Sequence, residues 1–184
     1  MVLNALGAIE YSSVASGIIS TDAMVKEASV ELLQANPICP GKYLTVIGAN
    51  DVDAVRSSIY AGLDAGGSAV IDHLVIPNIH PKVFPAITAT SGVTELQALG
   101  VIETFTLAST IIAADKAIKA ADIELVEVRL AMGLAGKAFI TLTGLVADVE
   151  AAVKAGCESA IGAGNLINSV VIPRPHPDLG RVIL

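Results

Sequence analysis

The sequence predicts an α+β protein in which one unit is used twice, each copy a split βαβ arrangement with helices on one face of a mostly antiparallel sheet. Three observations predict it. Residues 5–32 and 98–125 align at a constant offset of 93, with 14 of 28 positions identical. The segments VIPNIHP (75–81) and VIPRPHP (171–177) repeat Ile-Pro and His-Pro at an offset of 96. Within each copy the hydrophobic period switches between strand-like and helix-like spacing in the same order. Self-similarity at a fixed spacing marks a duplicated unit. The two domains are assigned to residues 1–92 and 93–184, joined where Thr, Ser and Gly cluster in TATSGVTEL (88–96).

In order along the first copy, residues 5–13 read as a strand. Val14, Ile18, Thr21, Val25 and Ala28 then recur at alternating spacings of four and three, which puts them on one helix face. The second copy repeats the stripe at Leu107, Ile111, Ala114, Ile118 and Ala121. Strands at about 30–35 and 42–48 form a hairpin. Between them lies a stiff turn, Asn36-Pro37-Ile38-Cys39-Pro40-Gly41-Lys42. Each proline fixes its own φ and restricts the residue before it, so Ile38 and Cys39 are expected on a loop, presented rather than buried. A second helix carries Val52, Val55, Ile59 and Gly62, mirrored by Val146, Val149, Val153 and Gly156, and a last strand spans about 70–76.

Composition bounds the rest. The chain is 53% hydrophobic but 3% aromatic, with no tryptophan, so its core must be built from Ala, Val, Ile and Leu. Mean hydropathy is +0.70, yet the apolar runs are interrupted well before the ~18–20 residues of a spanning helix, so no membrane segment is expected. With only 16% charged residues, hydrophobic surface should be shared in an oligomer. A net charge of −7 without a basic run argues against a nucleic-acid partner. No export signal is visible at the N-terminus. Two distant cysteines, Cys39 and Cys157, make no disulfide framework and fit a reducing cytoplasm.

One thiol on a stiff loop cannot build a metal cage alone, and no CxxC or HxxxH lies nearby. Either Cys39 is incidental or symmetry supplies its partners. The copies differ most at this hairpin: PICPG (37–41) becomes LAMGLAG (130–136), two residues longer, glycine-rich and without a thiol. A difference confined to one hairpin tip is where specialised function is expected. Cys157, on the second helix in the register of Leu63, reads as structural. Lys26 and Lys119 each follow an aspartate, Asp22 and Asp115, by four residues and can form helix-surface ion pairs. His80 and His176 recur in both copies and read as structural or edge residues rather than catalytic ones. No acid–base pair or activated nucleophile stands at a recognisable spacing, so no enzyme activity is expected. Gly133 and Gly136 form no phosphate-binding pattern.

ALGAIE, DAMVKEA, the Pro-Gly-Lys hairpin and the repeated IPxxHP resemble the bacterial microcompartment (BMC) shell domain. The resemblance covers essentially the whole chain. Within the family it is most similar to tandem-domain shell subunits of propanediol-utilisation compartments, which carry Ile-Cys-Pro-Gly-Lys in the first loop. The resemblance implies ferredoxin-like domains and a homotrimer that imitates a hexamer and tiles with other shell proteins into a microcompartment shell in the cytoplasm. It implies a central pore lined by Ile38, Cys39, Pro40 and Gly41, with Met132, Gly133, Leu134 and Ala135 from the second copy. It further implies a 4Fe–4S cluster, one per trimer, held by three Cys39 thiolates and a non-protein ligand, for electron transfer with an encapsulated or cytosolic redox protein. Lys26 and Lys119 are implied along the tile edge, and Arg174 between adjacent tiles, where the first copy has Asn78 instead. The alternative is a shell tile with a small-molecule pore, in which Cys39 is only part of the lining.

Overall fold

A computed structural model describes residues 3–131, 133–134 and 136–184. The chain divides into two compact units, one ending at Pro81 and the other beginning at Lys82. The first contains β1 (Ala5–Tyr11), α1 (Val14–Glu27), β2 (Glu31–Ile38), β3 (Lys42–Ala49), α2 (Val52–Gly66) and β4 (Val70–Ile76). The second opens with a short helix, α3 (Val83–Ile87), which packs on its own sheet at β6. It continues with β5 (Ala98–Thr104), α4 (Leu107–Ala120), β6 (Ile123–Leu130), β7 (Ala138–Gly144), α5 (Val146–Gly162), β8 (Leu166–Ile172) and α6 (Pro177–Ile183). The strand orders β2-β3-β1-β4 and β6-β7-β5-β8 are the same, and every pairing is antiparallel. Each unit is therefore the β-α-β-β-α-β arrangement read from the repeat, and α3 and α6 are additions.

Local chemistry sets the element ends. Ser13 and Thr106 occupy equivalent N-cap positions, and their hydroxyls accept from Ser16 N at 3.3 Å and Ser109 N at 3.2 Å. Asp51 caps α2 in the same way through Asp53 N at 3.0 Å. The register of β2 on β3 shifts between Leu32 and Gln34, and that of β6 on β7 shifts between Leu125 and Glu127, so both copies keep a bulge at the same place.

The central strands β1 and β5 carry the helices on one face. In β1 that face presents Ala5, Ile9 and Tyr11, buried with Met24, Ile47, Val55 and Ile59. Helix and strand meet at glycines. A Cβ on Gly7 would lie 2.8 Å from Ile59 and Val55 of α2, and one on Gly62 would lie 2.8 Å from Ile9 of β1. The second unit repeats this: a Cβ on Gly100 would lie 2.8 Å from Val153 and 3.0 Å from Val149 of α5, and one on Gly156 would lie 2.6 Å from Ile102 of β5. Omitting the side chain at the crossing points brings the layers close enough for small aliphatic residues to fill the core at normal density.

Two expectations are corrected. Strand β2 does not stop near residue 35; it runs through Asn36 and Pro37 to Ile38, which pairs with Lys42. As an edge strand, β2 leaves one side of its backbone unpaired, so a residue without an N–H is tolerated. Ile38 is thus the last residue of a strand and only 5% exposed, rather than presented on the loop. Within α1 the stripe is covered inside its own unit only at Thr21. Val14, Ile18 and Val25 are exposed, and the buried side is Gly17, Ser20, Thr21 and Met24. In α4 the same stripe is buried at Leu107, Ile111, Ala114 and Ile118. Periodicity identifies a face without saying what covers it.

Candidate functional site

Three residues, Cys39, Pro40 and Gly41, connect β2 to β3. Cys39 is half-buried, Pro40 and Gly41 are exposed, and the Cys39–Pro40 peptide bond is cis. Gly41 has φ +69°, and a Cβ placed on it would meet nothing within 4 Å, so glycine is needed there for backbone conformation and not for space.

The hairpin rests on an aromatic base. Tyr43, one residue beyond the last hairpin pair, is in register with Pro37 on β2 and with Tyr11 on β1. The Tyr11 and Tyr43 ring centroids are 6.5 Å apart, tilted by 52°. The Tyr11 hydroxyl makes a short hydrogen bond with Ser20 Oγ, which also donates to the Gly62 carbonyl at 2.7 Å, and it lies 3.6 Å from the Met24 sulfur. Burial raises the Tyr11 phenol above its ordinary pKa, against the opposing pull of hydrogen bonds to Ser20 and Thr45. At the hairpin edge, Lys42 Nζ pairs with Glu10 Oε1 at 2.7 Å, largely shielded from solvent.

The equivalent hairpin of the second unit is built differently. Ala131 is buried in the left-handed region at φ +56°, and Gly133 and Gly136 have φ +73° and +90°. Lys137 N donates to the Leu134 carbonyl at 3.1 Å. Gly133 is exposed and Leu134 half-buried, whereas Met132 and Ala135, both expected along the pore, lie outside the described residues. The positions that form the aromatic base in the first unit carry small residues here. Thr104 pairs with Ala138, and Thr104 Oγ1 meets Thr110 Oγ1 at 2.5 Å, in the places of Tyr11, Tyr43 and Gly17. The matching ion pair, Lys137 with Glu103, is looser at 3.5 Å and more exposed.

The remaining sequence-selected residues lie elsewhere. Lys26 pairs with Asp22 at 2.6 Å on the open surface of α1, and Lys119 with the buried Asp115 at 2.7 Å. Asn78, at φ +55°, and Arg174 are exposed at equivalent points after β4 and β8. His176 caps α6, its Nδ1 accepting from Asp178 N at 3.2 Å, and His80 is half-buried. Cys157 is buried on α5. Sequence reading missed Tyr43 and Gly17 under the hairpin. It also missed an open groove of about 590 Å³ in the second unit, lined by residues such as Ser91, Glu95, Asp122 and Thr143.

Cys39 offers a thiolate, the donor that iron–sulfur clusters take. Among the described residues no group of three or more His, Cys, Asp or Glu side chains is placed to hold a metal ion. One chain supplies one ligand, so a cluster fits only where further copies add theirs. The thiol stands at a hairpin tip beside exposed Pro40 and Gly41.

The BMC domain family matches the chain twice, at residues 5–79 and 98–175. The chain belongs to that family, and it is a structural shell subunit of a bacterial microcompartment. Among named relatives, it is 44% identical over 177 residues to the bacterial microcompartment shell protein PduT of Citrobacter freundii, covering 96% of each chain. The crystal structure of a microcompartment protein from Desulfitobacterium hafniense DCB matches with a TM-score of 0.95 and 49% identity, covering 97% of this chain and 99% of that one. The shell protein EutM of Salmonella typhimurium is 42% identical over 87 residues, 47% of this chain and 88% of EutM, which corresponds to one unit. Among the described residues no helix is long and apolar enough to cross a membrane.

Proposed function

We propose that three copies of this chain assemble into a pseudohexameric shell tile whose central pore holds one 4Fe–4S cluster on three Cys39 thiolates, for electron transfer across the shell. The observation that carries this reading is the hairpin difference. The first unit presents a thiol at the tip of a three-residue turn over a buried base, and the second has a longer glycine-rich connection with no thiol. Three thiolates leave one iron for a non-protein ligand. When bound, such a cluster supplies one-electron transfer. This chain's residues hold and shield it: Cys39 supplies the thiolate, Pro40 and Gly41 flank it at the turn, and Ile38 backs the turn.

The exposed α1 stripe supports assembly. Ile18 is 54% exposed where its counterpart Ile111 is fully buried, and a neighbouring copy is the natural cover for such a face. Lys26, Lys119, Asn78 and Arg174 lie along the tile edge, toward other shell proteins. An encapsulated or cytosolic redox protein is the electron partner.

Anaerobic reconstitution with iron and sulfide tests the cluster. About four irons per three chains are expected, lost in Cys39→Ser while the trimer persists. A trimer that takes up no iron in either form overturns the cluster. That result supports the second reading, a tile with a small-molecule pore, which is favoured by the finding that among the described residues no group of three or more His, Cys, Asp or Glu side chains could hold a metal ion within one chain.

A further inference from the structure

The two units share one plan, and beneath the hairpin they partition volume in opposite ways. In the first unit the bulk is on the strand: Tyr43 on β3 faces Gly17 on α1. In the second the strand carries Ala138 and the helix carries Thr110. Either arrangement fills the space between helix and sheet, so core packing alone does not require the tyrosine. What the first adds is a rigid ring rooted in the strand next to the thiol-bearing turn. The fit has no slack. A Cβ on Gly17 would come within 2.7 Å of Tyr43 Cγ and 2.8 Å of its Cβ, and the Tyr43 Cβ cannot yield without moving β3. Tyr43 is 6% exposed and is in register with both neighbouring strands at the level of Pro37. The next residue, Lys42, is held to β1 by the 2.7 Å pair with Glu10.

We propose that Tyr43, clamped between Gly17 and Tyr11, is a positioning residue for Cys39: it locks the β2–β3 hairpin so that the thiol is presented in one place. This deepens the cluster reading and rests on it for its purpose, although the locking itself does not depend on iron. Three thiolates that must converge on one small inorganic core lose less entropy on binding when each turn is already ordered.

Hydrogen exchange followed by mass spectrometry on the full-length protein tests the lock. In Tyr43→Ala, the peptide covering residues 38–44 is expected to lose protection while peptides of α2 and of the second unit's hairpin keep theirs. Gly17→Ala displaces the ring by addition rather than deletion and is expected to give the same local loss. Tyr43→Phe keeps the ring and is expected to exchange like the parent. Exchange that rises evenly over the whole first unit in both variants, or not at all at 38–44, overturns the proposal. If Tyr43→Ala fails to fold, Gly17→Ala carries the same readout with a change of one methyl group.

Iron loading of the same proteins separates the two ideas. Reduced loading in Tyr43→Ala and Gly17→Ala, with normal loading in Tyr43→Phe, supports both. Local loss of protection in a parent protein that binds no iron overturns the cluster and keeps the lock. Normal iron in every variant with unchanged exchange does the opposite.

Discussion

Gly7 and Gly100 stand at the same point of two sheets, where a helix descends onto the central strand. Gly7→Ala pushes a methyl group into Ile59 and Val55 at 2.8 Å and is expected to destabilise the first unit by about 1–3 kcal/mol, measured by urea unfolding. Tyr11 carries a pH prediction. Its phenol holds its proton more tightly when folded, because burial disfavours the charged form. This contribution to stability is fully present below the unfolded-state value of about 10 and is lost as pH rises through and beyond it. Tyr11→Phe removes the hydroxyl that meets Ser20, so near neutrality it is expected to be less stable by about 1 kcal/mol. Above pH ~10 that deficit should shrink, because only the parent has the phenol to deprotonate. Urea midpoints at neutral and alkaline pH check the crossover. At this scale the sequence was only partly legible. Cys39 stood out because two prolines frame it, whereas Tyr43 carries no pattern: one aromatic residue on a strand shows its role only when Gly17 is seen against it.

Helices α1 and α4 carry one stripe with two fates, and the contrast yields a paired prediction. Ile18→Asp alters an exposed position and is expected to leave the fold intact while dissociating the oligomer, as read by sedimentation. Ile111→Asp places a charge at a fully buried position and is expected to cost at least about 3 kcal/mol of stability, read as loss of the cooperative unfolding transition. Matching sedimentation profiles for Ile18→Asp and the parent would argue that this face is not an interface. The elements themselves were legible wherever a stripe is covered inside its own unit, as at Val55, Ile59 and Gly62 of α2 and Val149, Val153 and Gly156 of α5. Three things were not. The extension of β2 through Pro37 depends on its being an edge strand, which only the sheet order reveals. Helices α3 and α6 are five and seven residues long, too short for a periodic stripe to declare them.

For the whole molecule, the duplication made the architecture readable, since 28 aligned residues and a repeated ending define both units before any element is assigned. The proposed site was readable only as an incomplete one, because one chain carries a single loop thiol and the proposed cluster would draw its other thiolates from further copies. The residues proposed for the tile edge belong to this scale too. Lys26→Ala and Arg174→Ala touch side chains with at most an exposed local ion pair, so trimers are expected to form normally while extended sheets, viewed by electron microscopy, are lost or fragmented. Joining a thiol-bearing unit to a thiol-free one by a peptide linker has a combinatorial consequence. Rings drawn from two separate gene products would hold a statistical spread of thiol counts and arrangements, many of them useless for a three-ligand site. In the proposed trimer, with both units on one chain, translation itself sets their ratio at one to one and excludes every ring of another ratio, so the composition of the proposed pore is inherited from the reading frame and needs no sorting after synthesis.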